Sequence, residues 1–158
     1  MSTTFPTLEL AATALSDRDA APVAAGFGRR SKRVLVVDDD PVLRELIARV
    51  VVQGGNTPVR ATSVAQALEL MASGPVDLVL TDLNMNGLGG LDLLAQLSTR
   101  ANSPPTLLIT ASDDACELRA ARLLGARRIF QKPFSLNTLR TAIDAALQDR
   151  PLERFEPG

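Results

Sequence analysis

Histidine, tryptophan and tyrosine are absent from these 158 residues, and cysteine occurs once, at Cys116. Without imidazole the chain has no His-based catalytic triad, no histidine ligand for a metal and no phosphohistidine of its own. A lone cysteine excludes an intrachain disulfide and suits a reducing compartment; Cys116 reads as a small packing residue of a helix. Five phenylalanines are the whole aromatic complement, too few stacking surfaces for a single-strand binder. Charge leaves no nucleic-acid footprint either. Seventeen basic and eighteen acidic side chains give a formal net charge of −1, and no basic stretch exceeds Arg29-Arg30-Ser31-Lys32-Arg33, so no direct nucleic-acid partner is expected. No apolar run approaches the length of a membrane span, and the first residues lack the basic-then-apolar layout of a signal peptide. The expectation is a cytoplasmic protein without membrane contact.

What is present is a 46% apolar chain, long enough for one domain with a real core and too short for two of ordinary size. Residues 1–32 are rich in Ala, Ser, Thr and Pro with a weak apolar period at Leu8, Ala11, Ala12 and Leu15, and read as a mostly disordered extension. From Arg33 the texture changes. Val34-Leu35-Val36-Val37 is a continuous apolar run, as a strand covered on both faces requires. Leu43, Leu46, Ile47, Val50 and Val51 then recur at helical spacing and stop at Gly54-Gly55. A short strand over 57–60 follows, and Ser63-Val64-Ala65-Gln66 is a capping box opening a helix to about Ser73.

The cycle repeats with strands over 77–81, 106–110 and 128–131 and helices over about 88–100, 113–124 and 136–148. Parallel strands need long right-handed crossovers, so this alternation predicts a doubly wound five-stranded parallel sheet with helices on both faces. The domain is expected over 33–149, followed by a tail over 150–158.

In such a sheet ligands gather outside the carboxyl ends of the strands, where strand order reverses. The first strand ends in Asp38-Asp39, the third in Asp82, the fourth in Thr110 and the fifth in Lys132. Carboxylates brought to about 4 Å repel by about 4 kcal/mol per pair at an effective dielectric of about 20, a cost that a hard cation relieves. Mg²⁺ keeps several waters and binds one or two carboxylates plus a phosphate oxygen. A hydroxyl and an ammonium beside them suit the equatorial oxygens of a transferring phosphoryl group. The combination points to an aspartyl phosphate. Asp40, directly before Pro41, reads instead as a helix N-cap.

"VLVVDDDP", "LVLTDLNMNGLGG", "LLITAS" and "IFQKPF", in this order and spacing, make residues 33–149 resemble the receiver domain of bacterial two-component response regulators, of the stand-alone type. The resemblance implies the flavodoxin-like strand order 2-1-3-4-5, and that Asp82 is the phosphoacceptor, attacking a phosphohistidine on a partner histidine kinase or histidine phosphotransfer protein. It implies that Asp39 ligates Mg²⁺ directly, Asp38 through water and Asn84 through its backbone carbonyl, with Asp82 completing the set. Thr110 and Lys132 take the phosphoryl oxygens, and the Lys132-Pro133 bond is cis. Such a domain is no enzyme beyond catalysing its own phosphorylation and dephosphorylation; it signals by contact with a downstream protein target or by relay. Homodimerisation through the last helical face is usual for the family. Three departures stand out. Asn86 occupies the place of a proline, an exchange expected to loosen the following loop. Ile129 occupies the place of an aromatic that swings inward as Thr110 moves, with Phe130 facing the other side of the strand. Arg127-Arg128 is unusually basic, and reads as a solvated edge.

Two other classes compete. "DDDPV" also fits the opening of haloacid-dehalogenase-like phosphatases, with Asp38 as nucleophile and Asp40 as general acid. That reading leaves Asp82, Met85 and Gly90 unexplained, and no acidic pair follows Lys132. A phosphorylation-independent interaction module on the same scaffold is the other.

Overall fold

The apolar run that starts at Val34 forms β1 (Arg33–Val37), the first of ten alternating elements along residues 30–148, the part of the chain that the computed structural model describes. The others are α1 (Pro41–Gln53), β2 (Thr57–Ala61), α2 (Val64–Ser73), β3 (Leu78–Asp82), α3 (Gly90–Ser98), β4 (Thr106–Thr110), α4 (Ala115–Leu123), β5 (Arg128–Gln131) and α5 (Leu136–Leu147). The expected extension, apart from its last three residues, and the expected tail lie outside the described residues. The five strands are parallel in the order β2-β1-β3-β4-β5: the alternation predicts the parallel sheet, and the resemblance implies its order.

Side-chain alternation along each strand divides the core between the two faces. Val34, Val36, Leu78, Leu80, Leu107, Ile109 and Phe130 pack with Ile47, Val50 and Val51 of α1 and Leu139, Ala142 and Ile143 of α5. Leu35, Val37 and Val79 face the other way, onto Val64 and Ala67 of α2 and Leu93 and Leu97 of α3. A third, smaller cluster joins Leu83, Leu94 and Leu108 to Ala121 of α4, with Ile129 against it. β3 and β4 are buried along their whole length. Each fully buried Leu or Ile among these contributes about 2 kcal/mol, so the strand ends are held on a rigid floor.

Helix starts follow the sequence chemistry with two shifts. Asp40 caps α1 by accepting from Val42 N–H at 2.9 Å. Ser63 caps α2 by accepting from Gln66 N–H at 3.1 Å, but the side-chain Oε1 of Gln66 accepts from Thr62 N–H at 2.7 Å, one residue earlier than a capping box has it. α3 begins at Gly90, two residues later than its pattern suggests, where Asp92 accepts from Gly89 N–H at 2.8 Å. At the far edge of the sheet, Thr57 N–H donates to the Lys32 carbonyl at 2.8 Å and Pro58 lies opposite Val34.

Candidate functional site

β1 has β2 on one side and β3 on the other, so the chain leaves β1 and β3 toward opposite faces and opens a crevice above their carboxyl ends. α1 follows β1 on the Ile47 face, and α3 follows β3 on the Leu93 face. Asp38, Asp39 and Asp82 stand at that crevice. Asp82 is only 6% exposed, and both its oxygens are engaged. Lys132 Nζ donates to Oδ2 at 3.0 Å, and Asn84 N–H donates to Oδ1 at 3.1 Å. The Lys132-Pro133 peptide is cis, and Lys132 N–H donates to the Thr110 carbonyl at 2.8 Å, fixing the end of β5 to the end of β4.

Asp38 is the most buried acid of the group, 1% exposed. Its Oδ1 accepts from Asp40 N–H at 2.9 Å, whereas its Oδ2 is buried without a partner. Burial pushes the Asp38 carboxyl up from its ordinary 3.8 to about 6; the Asp82 and Asp39 carboxylates push the same way, against the Asp40 N–H and the Lys132 ammonium. A buried oxygen with no donor, among carboxylates, demands positive charge or ordered water. A hydrated divalent cation supplies both. No three His, Cys, Asp or Glu side chains are grouped as a ligand set among the described residues. The unpartnered Asp38 oxygen beside Asp39 and Asp82 fits a cation that takes one or two carboxylates with backbone oxygen and water, the habit of Mg²⁺.

Thr110 is fully buried at the end of β4, and its Oγ1 accepts from Ser112 N–H at 2.9 Å. Its hydroxyl proton has no acceptor among the described hydrogen bonds and is free to donate. Behind Asp82, Gly89 and Gly90 let the chain turn back against the strand. A Cβ on Gly90 would lie 2.5 Å from the Asp82 carbonyl oxygen and 3.0 Å from Leu108 Cδ2, and one on Gly89 would strike the Leu83 carbonyl. This close approach is the physical content of a glycine eight residues after Asp82.

The model of the response regulator receiver domain family matches residues 34–144 of the chain, from the start of β1 into α5. The chain belongs to that family. It is 37% identical over 126 residues to response regulator MprA of Mycobacterium ulcerans (strain Agy99), covering 80% of this chain and 54% of that one. A receiver domain protein from Clostridium thermocellum is 25% identical with a TM-score of 0.68, covering 74% of this chain and 94% of that one. The CheY-like receiver domain protein from Methanospirillum hungatei JF-1 shares the fold at 20% identity, with a TM-score of 0.71 over 75% of this chain and 95% of that one. The chain spans about a third to a half of the length of the curated relatives it matches. Receiver domains of two-component systems are phosphorylated by histidine kinases, use Mg²⁺ at the phosphorylation site and act on downstream targets. No helix among the described residues of this receiver domain is long and apolar enough to cross a membrane.

Within the receiver domain the three departures acquire structural meaning. At Asn86 the loop is tied, not loosened: the backbone N–H that a proline would lack donates to Asp39 Oδ2 at 2.9 Å. Ile129 packs under α4 with Leu83, Leu94, Leu108 and Ala121, while Phe130 lies on the opposite face, its ring 6.1 Å from that of Phe134. The Arg128 guanidinium sits 4.8 Å above the Phe130 ring, so Arg128 is half-buried and only Arg127 is a fully solvated edge residue. Cys116 is exposed, contrary to the packing role expected of it. The buried stripe of α4 runs through Ala121 and the half-buried Leu118 and Leu124, and at about 100° per residue position 116 turns away from it. Asp40 caps α1, the role read for it in the sequence, and the phosphatase alternative leaves the clasp on Asp82 unexplained. One neighbour of the site escaped the sequence pattern. Arg44, one turn into α1, donates from Nη1 to the Asp38 carbonyl at 2.8 Å and pins the loop that carries both acids.

Proposed function

We propose that this receiver domain takes a phosphoryl group on Asp82 from a partner histidine kinase or histidine phosphotransfer protein. A carboxylate oxygen of Asp82 attacks the phosphorus of a phosphohistidine. The P–O bond forms as the P–N bond breaks, and the imidazole departs with the electron pair and takes up a proton. The observation that carries this reading is the clasp on the buried Asp82: one oxygen held by the Lys132 ammonium and the other by Asn84 N–H, which keeps the carboxylate oriented. Lys132 then neutralises a phosphoryl oxygen and the free hydroxyl proton of Thr110 donates to another. Asp39, Asp82 and the Asn84 carbonyl would hold Mg²⁺ directly and Asp38 would hold it through water, the role that its unpartnered oxygen suits. Mg²⁺, when bound, neutralises charge on the acid cluster and on the transferring group. Phosphorylation shifts a pre-existing equilibrium between two arrangements of the domain, which a protein target or the next member of a relay reads. The site lies in the compartment of the kinase, the cytoplasm.

The test is the intact mass of the protein after brief incubation with Mg²⁺ and acetyl phosphate. One phosphoryl adduct is expected on the wild-type chain and none on Asp82→Ala. An adduct that persists in Asp82→Ala, and disappears only in Asp38→Ala, would move the nucleophile to the first strand and refute the assignment.

A further inference from the structure

With Ile129 anchored in the α4 cluster, the strand offers no aromatic at that position to follow Thr110. What touches Thr110 instead is Ser112, and every polar group of Ser112 is used. Its N–H donates to Thr110 Oγ1 at 2.9 Å. Its hydroxyl donates to Glu117 Oε1 at 2.6 Å and accepts from Asp114 N–H at 3.1 Å, which ties it to the N-cap and first turn of α4. Its carbonyl accepts from Gln131 Nε2 at 3.0 Å, on the residue that pairs with Thr110 across the sheet. One residue thus joins the reacting hydroxyl, the start of α4 and the end of β5.

We infer that Ser112, Glu117 and Gln131 are positioning residues that aim the Thr110 hydroxyl and pass its movement to α4, in the place an aromatic side chain would fill. The inference rests on the phosphoacceptor reading above. In the unphosphorylated domain Ser112 N–H holds Thr110 Oγ1. When the hydroxyl swings to a phosphoryl oxygen, that N–H loses its acceptor. Because the hydroxyl and carbonyl of Ser112 are fastened to α4 and β5 by three hydrogen bonds, the loop cannot relax alone and the first turn of α4 shifts with it. Chains of hydrogen bonds of this kind act together, so removing one link costs the others.

Intact mass and amide hydrogen exchange, read on the same full-length samples with and without acetyl phosphate in Mg²⁺, test this. In the wild-type chain phosphorylation is expected to change exchange in the first turn of α4 by about fivefold, the ratio that one hydrogen bond sustains. Glu117→Ala and Gln131→Leu are expected to gain the phosphoryl adduct yet show less than about half of that change, while Glu117→Gln, which keeps an acceptor oxygen for Ser112, restores most of it. Unaltered exchange in β1 shows that each variant is folded. A full α4 response in both Glu117→Ala and Gln131→Leu overturns the inference. Absence of any adduct on the wild-type chain overturns the phosphoacceptor reading and this inference with it.

Discussion

Asp38 has a stability cost that can be measured without any kinase. Replacing it by asparagine keeps an oxygen to accept the Asp40 N–H and removes the charge whose second oxygen is buried without a partner. The native carboxyl titrates near 6 against an ordinary 3.8. At about 1.36 kcal/mol per pH unit, that gap corresponds to a ceiling of about 3 kcal/mol against the native state above pH 6. The native state binds this proton more tightly than the unfolded chain. Stability therefore falls as the pH rises from about 4 to about 6, and the whole cost stands above about 6. The asparagine amide gives back part of the gain, since its N–H donors replace Oδ2 in a buried place, leaving a net stabilisation of about 1–2 kcal/mol. Urea unfolding in EDTA at about pH 8 should show a higher midpoint for Asp38→Asn at an unchanged slope, and the advantage should vanish at about pH 4.5. Adding Mg²⁺ at pH 8 should raise the wild-type midpoint much more than that of the variant, because binding to the native state alone stabilises it by mass action. A variant less stable than the wild type at pH 8 in EDTA, or equally advantaged at both pH values, would show that burial of this charge has been misjudged.

Two further outcomes are expected. Gly90→Ala must push a methyl group against the Asp82 carbonyl and Leu108; a loss of about 1–3 kcal/mol in chemical unfolding is expected from such overpacking, together with slower adduct formation on Asp82. Asp40→Ala removes a helix cap and should lower stability by about 1 kcal/mol while leaving the adduct intact, whereas a phosphatase using Asp40 as its acid would lose turnover.

The uneven legibility of the sequence has physical causes. β1, β3 and β4 are buried on both faces, so their composition is set by the core alone and announces itself as apolar runs. The strand-end acids, Thr110 and Lys132 were readable because a parallel sheet brings all its carboxyl ends to one edge, whatever the details of packing. β2 is half-exposed, so its composition carries a weaker apolar signal than the buried strands. What could not be read were contacts made by backbone groups or across long loops. The Asn86 amide on Asp39 and the Arg44 guanidinium on the Asp38 carbonyl have no side-chain pattern of their own. The expectation for Asn86 considered the stiffness that proline would add and not the donor that it would remove. Cys116 was assigned from its residue type, although the apolar phase of α4 places it off the packing stripe.

Among the described residues β2 has one margin without a partner strand, which bears on how this protein behaves when crowded. In a parallel strand alternate residues direct their main-chain groups toward the neighbour, and Thr57, whose N–H reaches Lys32, is one that faces β1. Positions 58 and 60 therefore face outward. At 58 the residue is proline, which has no N–H to offer, and at 60 it is Arg60, whose guanidinium is clasped by Glu45 at 2.6 Å. An incoming extended segment would find one donor where it needs two, flanked by a bound charge. The β2 edge thereby resists growing by strand addition, which guards that margin of the sheet against fibrillar self-association.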